Sequence, residues 1–151
     1  MNQSGASMTG LALRLLDADE LDWANTYYAS VGLQPSSEDT FVYALERDSE
    51  SIGLARIVPL DSQCGELSAL HLFKQHRGEG LAPIFMKMIL EKCPYRWLYS
   101  IAYVEHSHLY MDVGFELVTN YFETPKPIMT KYQWCLDNLP HPVQMLELRR
   151  L

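Results

Sequence analysis

The sequence predicts a single α/β (α+β) domain in which helices flank a mixed β-sheet. The chain has 151 residues, which is about the length of one domain. Its 48% hydrophobic and 21% charged residues are an ordinary globular composition. Short apolar runs with strand character alternate with segments of helical periodicity. Together these observations predict the element order β-α-β-β-β-α-β-α-β-β.

The first half of the chain has the simpler pattern. We expect the polar residues 1–9 to form a flexible N-terminal tail and residues 10–151 to form the domain. An apolar run over 11–16 predicts a strand. The acidic segment 17–20 then favours a helix start, because its carboxylates face the positive helix end, and Gly32 can end that helix. Three further strands are expected, over 41–45, 51–58 and 66–73.

The second half begins with a polar, glycine-containing loop at 74–80. Residues 81–93 have helical periodicity and are closed by Pro94, and strand character returns over 96–104. The remaining expected elements are a short helix over 106–113, strands over 115–122 and 129–136, and an edge strand or helix over 140–151.

The charge balance argues against two classes of partner. Twelve Lys and Arg against nineteen Asp and Glu give a net charge of −7. Nucleic acid and anionic membranes are therefore not expected partners, because both need a basic face. The first residues lack the basic start and apolar middle of a signal peptide, and no apolar run is long enough to span a bilayer. The three cysteines form no paired pattern, which is typical of reduced thiols and predicts a cytoplasmic protein.

Segment 70–82 carries the strongest chemical signal, because a strand leads through a glycine loop into a helix. Gly78 and Gly80 let the backbone curl and leave room for a phosphate. The unpaired amides and the dipole of the helix N-terminus favour an anion at this point, and the Arg77 guanidinium suits phosphate oxygens. The segment therefore predicts a phosphate or pyrophosphate site, with a plain strand-to-helix turn as the alternative.

Two motifs, in order, resemble the GNAT superfamily of acyl-CoA N-acyltransferases. Residues 77–82 (RGEGLA) match its R-x-x-G-x-[GA] signature, and residues 109–115 (LYMDVGF) resemble its L-Y-x-x-x-G-F segment. A three-glycine dinucleotide loop is absent because Pro83 stands at its third glycine, and no P-loop G-K-[ST] is present. With the order of the elements, the resemblance spans roughly residues 11–136.

The resemblance implies a mostly antiparallel sheet that splays around acetyl-CoA, used as co-substrate without a metal. Arg77 and the amides of 78–82 would bind the pyrophosphate, and the backbones of Leu70 and Leu72 would bond the pantetheine arm. An amide near Leu70 or Leu72 would stabilise the oxyanion. The residues predicted to bind the cofactor are Leu70, His71, Leu72, Arg77, Gly78, Glu79, Gly80, Leu81 and Ala82.

Two residues are predicted to be catalytic. The resemblance implies that Tyr110 lies near the CoA sulfur and protonates the leaving thiolate. Glu66 stands where some family members carry a general base. On an ideal strand Glu66, Ser68, Leu70 and Leu72 share one face, although a bulge would break this parity. Three histidines are rival bases because they titrate near neutral pH: His71, His106 and His108.

Plainer interpretations of these residues stay open. Tyr110 could be a core aromatic, and Glu66 could be a surface carboxylate at a strand end. Cys135, expected in an apolar strand, is interpreted as packed and unreactive. No His, Cys, Asp and Glu grouping has zinc-ligand spacing, so no metal is expected.

The resemblance implies an N-acyltransferase that moves an acetyl group from acetyl-CoA to an amine of a small molecule or peptide. The amine would attack directly in a ternary complex. Tyr103 and His106 depart from the family's usual residues, which motivates an alternative function as a catalytically inactive acyl-CoA-binding sensor or scaffold. A pure protein-interaction domain would bind no CoA. A homodimer through the last strands and the tail is a further hypothesis.

Overall fold

The computed structural model describes residues 9–150, so residues 1–8 of the predicted tail and residue 151 lie outside the described part. The strands are β1 (Leu11–Leu15), β2 (Phe41–Arg47), β3 (Glu50–Pro59), β4 (Cys64–Leu72), β5 (Trp97–Tyr103), β6 (Glu116–Leu117) and β7 (Val143–Arg149). The α-helices are α1 (Leu21–Ser30), α2 (Leu81–Lys92), α3 (Ser107–Met111) and α4 (Lys126–Asn138). A short 3-10 segment precedes each of the four helices.

The seven strands form one mixed sheet in the order β1-β2-β3-β4-β5-β7-β6. Neighbouring strands are antiparallel except β4 and β5, which are parallel. A parallel pair needs a crossover connection, and α2 provides it between these two strands. The predicted fold class, a mostly antiparallel mixed sheet flanked by helices, is confirmed.

The helices pack on both faces of the sheet. The α2 face, covered by α2 and α3, buries the larger core, with Leu67, Phe85 and Leu98 all at 0% exposure. The α4 face, covered by α1 and α4, holds two smaller clusters, built around Tyr28 and Tyr99. Burial of each large side chain contributes roughly 1.5–3 kcal/mol, so the α2 face contributes most to stability.

The prediction of two strands over 115–122 and 129–136 was wrong for most of its length. Strand β6 has only two residues, and the second segment lies in the helix α4. Pro125 is the N-cap of α4, and Pro127 lies in its first turn, where a missing amide costs nothing. Ile128 and Cys135, seven positions apart, are its buried residues, a helical spacing.

The C-terminal segment, expected as an edge strand or helix, forms the strand β7. It does not lie at an edge, because it pairs with β5 along seven residues and with β6 on its other side. Among residues 9–150 no helix is long and apolar enough to cross a membrane.

Candidate functional site

The candidate site lies where the parallel strands β4 and β5 separate. They pair only where Cys64–Glu66 faces Trp97–Tyr99, and the ladder then stops. At this fork the buried Ser100 hydroxyl donates to the Leu67 carbonyl oxygen at 2.8 Å. Beyond the fork a cleft of about 360 Å³ opens towards α2 and α3. Six predicted site residues line this cleft: Leu70, His71, Leu72, Arg77, Ala82 and Tyr110.

Residues 77–82, the glycine loop, connect the end of β4 to the start of α2. Gly78 and Gly80 have φ angles of 78° and 75°, in the left-handed region that favours glycine. Gly80 is the N-cap of α2, so the first helical amides point into the loop without partners in the helix. A Cβ at Gly78 would meet no atom within 4 Å, so the space beside this backbone is open. The loop therefore has the backbone geometry of an anion site.

Two charged side chains of the glycine loop have different surroundings. The Nε of Arg77 donates to the Leu72 carbonyl oxygen at 2.9 Å, and this bond ties the guanidinium to the end of β4. Glu79 forms an ion pair with Arg47 at 3.2 Å, and its other carboxylate oxygen lies 3.8 Å from the His76 Nδ1. Because its charge is balanced there, Glu79 does not oppose an anion at the loop as an unpaired carboxylate would.

A bulge in β4 determines which side chains reach the cleft. The register against β3 shifts between Leu54 and Arg56, and Ala69 has a φ of 54°. The Tyr28 hydroxyl donates to the Ala69 carbonyl oxygen at 3.0 Å and holds the bulge from the α4 face. Residues left out of the ladder at a bulge have free backbone groups, which is what a pantetheine arm or an oxyanion requires.

The expectation that Glu66 shares a face with Leu70 and Leu72 was wrong. After the bulge, Leu70 and Leu72 pack with the core of the α2 face, together with Leu67. Glu66 points to the α4 face, where its Oε2 accepts from the Lys131 ammonium at 2.5 Å. The extra residue inserted at the bulge exchanges the two faces, so the strand parity holds only up to that point.

The Tyr110 side chain lies in the cleft on the α2 face. Its ring packs edge-on against Phe115, with centroids 5.6 Å apart. Burial raises the pKa of its phenol, and the charge of Glu66 raises it further, while a hydrogen bond with Ser100 opposes the shift. The phenol therefore keeps its proton at neutral pH, as a general acid must.

The candidate bases differ in exposure and in partners. The Glu66 side chain is only 4% exposed, so the interpretation as a surface carboxylate was wrong. Burial, followed by the charge of Arg77, lowers the pKa of His71, which is therefore neutral at pH 7. His106 lines the cleft but also lies 3.7 Å from Glu105, and His108 is exposed.

Sequence reasoning missed Lys131 and Ser100. Lys131 lies on α4 and is 42% exposed along its side chain, and nothing in its neighbours marks it as a partner of a residue on β4.

Cys135, one turn further along α4, is buried, and burial raises the pKa of its thiol, in keeping with a packed and unreactive cysteine. No group of three or more His, Cys, Asp or Glu residues that could hold a metal occurs within residues 9–150.

Comparison with known proteins gives one family and many related folds. The model of the family described as "Acetyltransferase (GNAT) family" matches residues 11–115. A GNAT family acetyltransferase from Elizabethkingia anophelis with acetyl-CoA bound is 15% identical, with a TM-score of 0.61, and the match covers 93% of this chain and 98% of that one. No curated protein sequence matches the chain.

Two other solved structures have the same fold. Spermidine N-acetyltransferase from Vibrio cholerae in complex with CoA and spermine is 15% identical, with a TM-score of 0.61 and coverage of 93% and 96%. N-acetylglutamate synthase from Neisseria gonorrhoeae complexed with coenzyme A and L-arginine is 16% identical, with a TM-score of 0.69. The match to the synthase covers 94% of this chain but only 34% of that one. At these identities the likeness shows the fold alone.

Proposed function

The chain belongs to the GNAT acetyltransferase family, and on that premise we propose that it transfers an acetyl group from acetyl-CoA to an amine. The observation that carries the proposal is the cleft beyond the β4–β5 fork. It joins the glycine loop at the start of α2 to the protonated phenol of Tyr110. The acceptor would be an amine of a small molecule or peptide that attacks the thioester directly in a ternary complex.

Acetyl-CoA would bind from the glycine loop inward along β4. The amides of Gly78, Gly80, Leu81 and Ala82, with Arg77, would hold the pyrophosphate. Leu70 and Leu72 would offer their backbones to the pantetheine arm, as an edge strand does to a peptide, because β5 has moved away there. His71 and Glu79 would contribute through their backbones.

The chemistry then requires three proton transfers: the acceptor ammonium loses one proton before attack, its nitrogen loses a second after attack, and the CoA thiolate gains one. A backbone amide near the bulge would stabilise the negative oxygen that develops on the acetyl carbonyl. Tyr110 would give its proton to the departing CoA thiolate as the C–S bond breaks, and the attacking nitrogen would lose its extra proton, which restores the phenol. Glu66, across the sheet at the fork, would accept a proton from the ammonium of the acceptor, directly or through water. Holding both substrates at the β4–β5 fork supplies the orientation that direct attack needs.

Thermal unfolding with acetyl-CoA tests the binding part of the proposal. Ligand at 100 times its Kd adds about 2.7 kcal/mol to the free energy of unfolding. For a domain of this size the midpoint should rise by roughly 5–10 °C. In Gly80→Glu the rise should disappear, because a new carboxylate would occupy the pyrophosphate position.

A matched control exists at the end of α1. Gly32 has a φ of 79°, close to that of Gly80, and a Cβ there would meet nothing within 4 Å. Gly32→Glu introduces the same backbone strain and the same charge away from the cleft, so its midpoint should still rise with acetyl-CoA. Absence of any rise in the unmodified protein, with acetyl-CoA or with longer acyl-CoAs, would end the transferase proposal.

One observation favours a second candidate, a module that binds acyl-CoA without turnover. The Lys131 ammonium forms an ion pair with the Glu66 carboxylate, so Glu66 is not a free general base. Consumption of acetyl-CoA with a broad panel of amines separates the two functions. An enzyme consumes acetyl-CoA with at least one amine, whereas a binding module shows the thermal shift alone.

A further inference from the structure

A second cavity lies at the opposite end of β4 from the cleft. It has a volume of about 450 Å³ and opens between the β3–β4 turn, the α2–β5 connection and the end of β7. Three arginines are among the residues that line it, Arg96, Arg149 and Arg150, together with Tyr95 and Trp97. We call this cavity the arginine pocket. The nine residues of β4 span roughly 30 Å, so the pocket is remote from the glycine loop.

The three guanidinium groups differ in how their charge is balanced. Arg149 forms ion pairs with Glu147 at 2.9 Å and Glu123 at 3.2 Å. It also lies over the Trp97 ring, 4.0 Å from its centroid. Arg149 is therefore compensated, and it mainly fixes the wall of the pocket.

Arg96 and Arg150 have no carboxylate partner among residues 9–150. The terminal nitrogens of Arg150 donate to backbone carbonyls of Leu90, Cys93 and Tyr95. Its Nε is buried and has no acceptor. Arg96 is exposed at the pocket. A backbone hydrogen bond connects the two arginines, because the Arg150 amide donates to the Arg96 carbonyl oxygen at 2.7 Å. Among residues 9–150 neither of these two arginines is paired with a carboxylate, in a chain whose net charge is −7. Arg150 contributes its charge, because its terminal nitrogens already bind carbonyl oxygens, whereas the exposed Arg96 presents its N–H donors at the cavity.

We propose that the arginine pocket binds the phosphate group of a small anionic molecule. A guanidinium group presents a planar fork of N–H donors that matches phosphate oxygens. No Asp or Glu of the part of the chain that the structure describes lines the cavity. Its volume falls in the range of small-molecule sites. The Trp97 ring already packs with Arg149 and Tyr99, so recognition rests on the charged group of the ligand rather than on stacking of a ligand ring. The proposal does not depend on acetyl-CoA binding at the glycine loop.

Titration with inorganic pyrophosphate, followed by ¹H–¹⁵N NMR, tests the proposal. The indole N–H of Trp97, which donates to Glu147 at 3.3 Å, reports on the pocket and is assigned with Trp97→Phe. The amides of Gly78 and Gly80 report separately on the glycine loop. We expect the Trp97 resonance to shift in a saturable way, with chloride at matched ionic strength as the reference.

Arg96→Gln supplies the decisive comparison, because this side chain is exposed and makes no hydrogen bond or ion pair with residues 9–150. Its affinity for pyrophosphate at the Trp97 resonance should fall about tenfold, the loss expected for a charged hydrogen-bonding partner. Lys126→Gln removes one positive charge from the exposed start of α4 and should leave that affinity unchanged. The proposal is overturned if chloride reproduces the shift, if only the glycine-loop amides respond, or if both variants bind equally.

Discussion

On the α2 face of β4 the Tyr110 phenol is buried and protonated, whereas on the α4 face the Glu66 carboxylate is buried against the Lys131 ammonium. Both groups lie near the same fork, and the charge of one affects the pKa of the other. Tyr110, the proposed proton donor, therefore carries its proton at neutral pH, whereas Glu66, the proposed proton acceptor, is already paired with a cation. In the proposed reaction, the ion pair with Lys131 would therefore limit how readily Glu66 accepts a proton.

The largest effect should follow from removing the donor. Tyr110→Phe keeps the ring against Phe115 but lacks the proton, and a general acid contributes at least about 100-fold to rate. We expect acetyl-CoA turnover to fall by about that factor while the thermal shift with acetyl-CoA persists. Tyr103→Phe, at the end of β5, is the control and should retain activity. Full activity in Tyr110→Phe would mean that the Tyr110 side chain only packs in the core and does not act as the general acid.

Removing the cation on the α4 face should affect stability next most strongly. Lys131→Met leaves the buried Glu66 carboxylate without its partner, which costs several kcal/mol for a fully buried pair. Because Lys131 is 42% exposed, water replaces part of the interaction, and we expect a loss of about 2 kcal/mol in denaturant unfolding. The double variant Lys131→Met with Glu66→Gln should recover most of it. A single variant as stable as the unmodified protein would contradict the pairing.

The bulge that separates the two faces can be tested with a smaller change. Ala69 is held at a φ of 54°, where a Cβ is strained by about 1 kcal/mol. Ala69→Gly should therefore stabilise the protein by about 0.5 kcal/mol after the entropy that glycine adds to the unfolded chain. Ala44→Gly, in the extended strand β2, should instead destabilise it. Destabilisation by both variants would mean that Ala69 is not strained.

The smallest effect should come from pH. Burial and the charge of Arg77 lower the pKa of His71, so folding favours its neutral form. The stability that follows is present above the ordinary pKa of about 6.5 and is lost as the pH falls through the lower folded value. We expect the unfolding midpoint to decline more steeply on acidification than in His71→Gln. Parallel curves for the two proteins would exclude a buried neutral His71.

The glycine loop was predictable from sequence because its chemistry is local. Glycines, an arginine and a helix start within six residues predict a loop with positive φ angles ahead of a helix without reference to the rest of the chain, and the structure has that loop. The orientation of Glu66 was not predictable, because alanine gives no signal for the left-handed conformation that Ala69 adopts. Its partner Lys131 is 65 residues away, so only the tertiary fold brings the two together.

The segment of α4 was predicted as a strand because of its residue types and their alternation, although its buried residues have helical spacing. Aromatic and apolar residues alternate with polar ones around Tyr132 and Trp134, a pattern typical of strands. The contrary signal was Pro125 with Pro127, because prolines at this spacing are typical of a helix N-terminus. The sheet itself was predicted well from β1 to β5, where consecutive strands pair with their neighbours. The wrong strand predictions lie after residue 115, where the last strand, β7, lies between β5 and β6 rather than at an edge.

The position of β7 inside the sheet has a consequence for how the protein is made. Trp97 of β5 pairs with Arg149, so β5 has no partner on that side until the last strand has left the ribosome. At about 5–20 residues per second this interval lasts roughly 3–10 s. During that time a buried strand presents an open, apolar edge to neighbouring chains. A chain that stops before residue 143 keeps that edge permanently, and such truncations should accumulate as insoluble protein even though the glycine loop and both proposed catalytic residues are present.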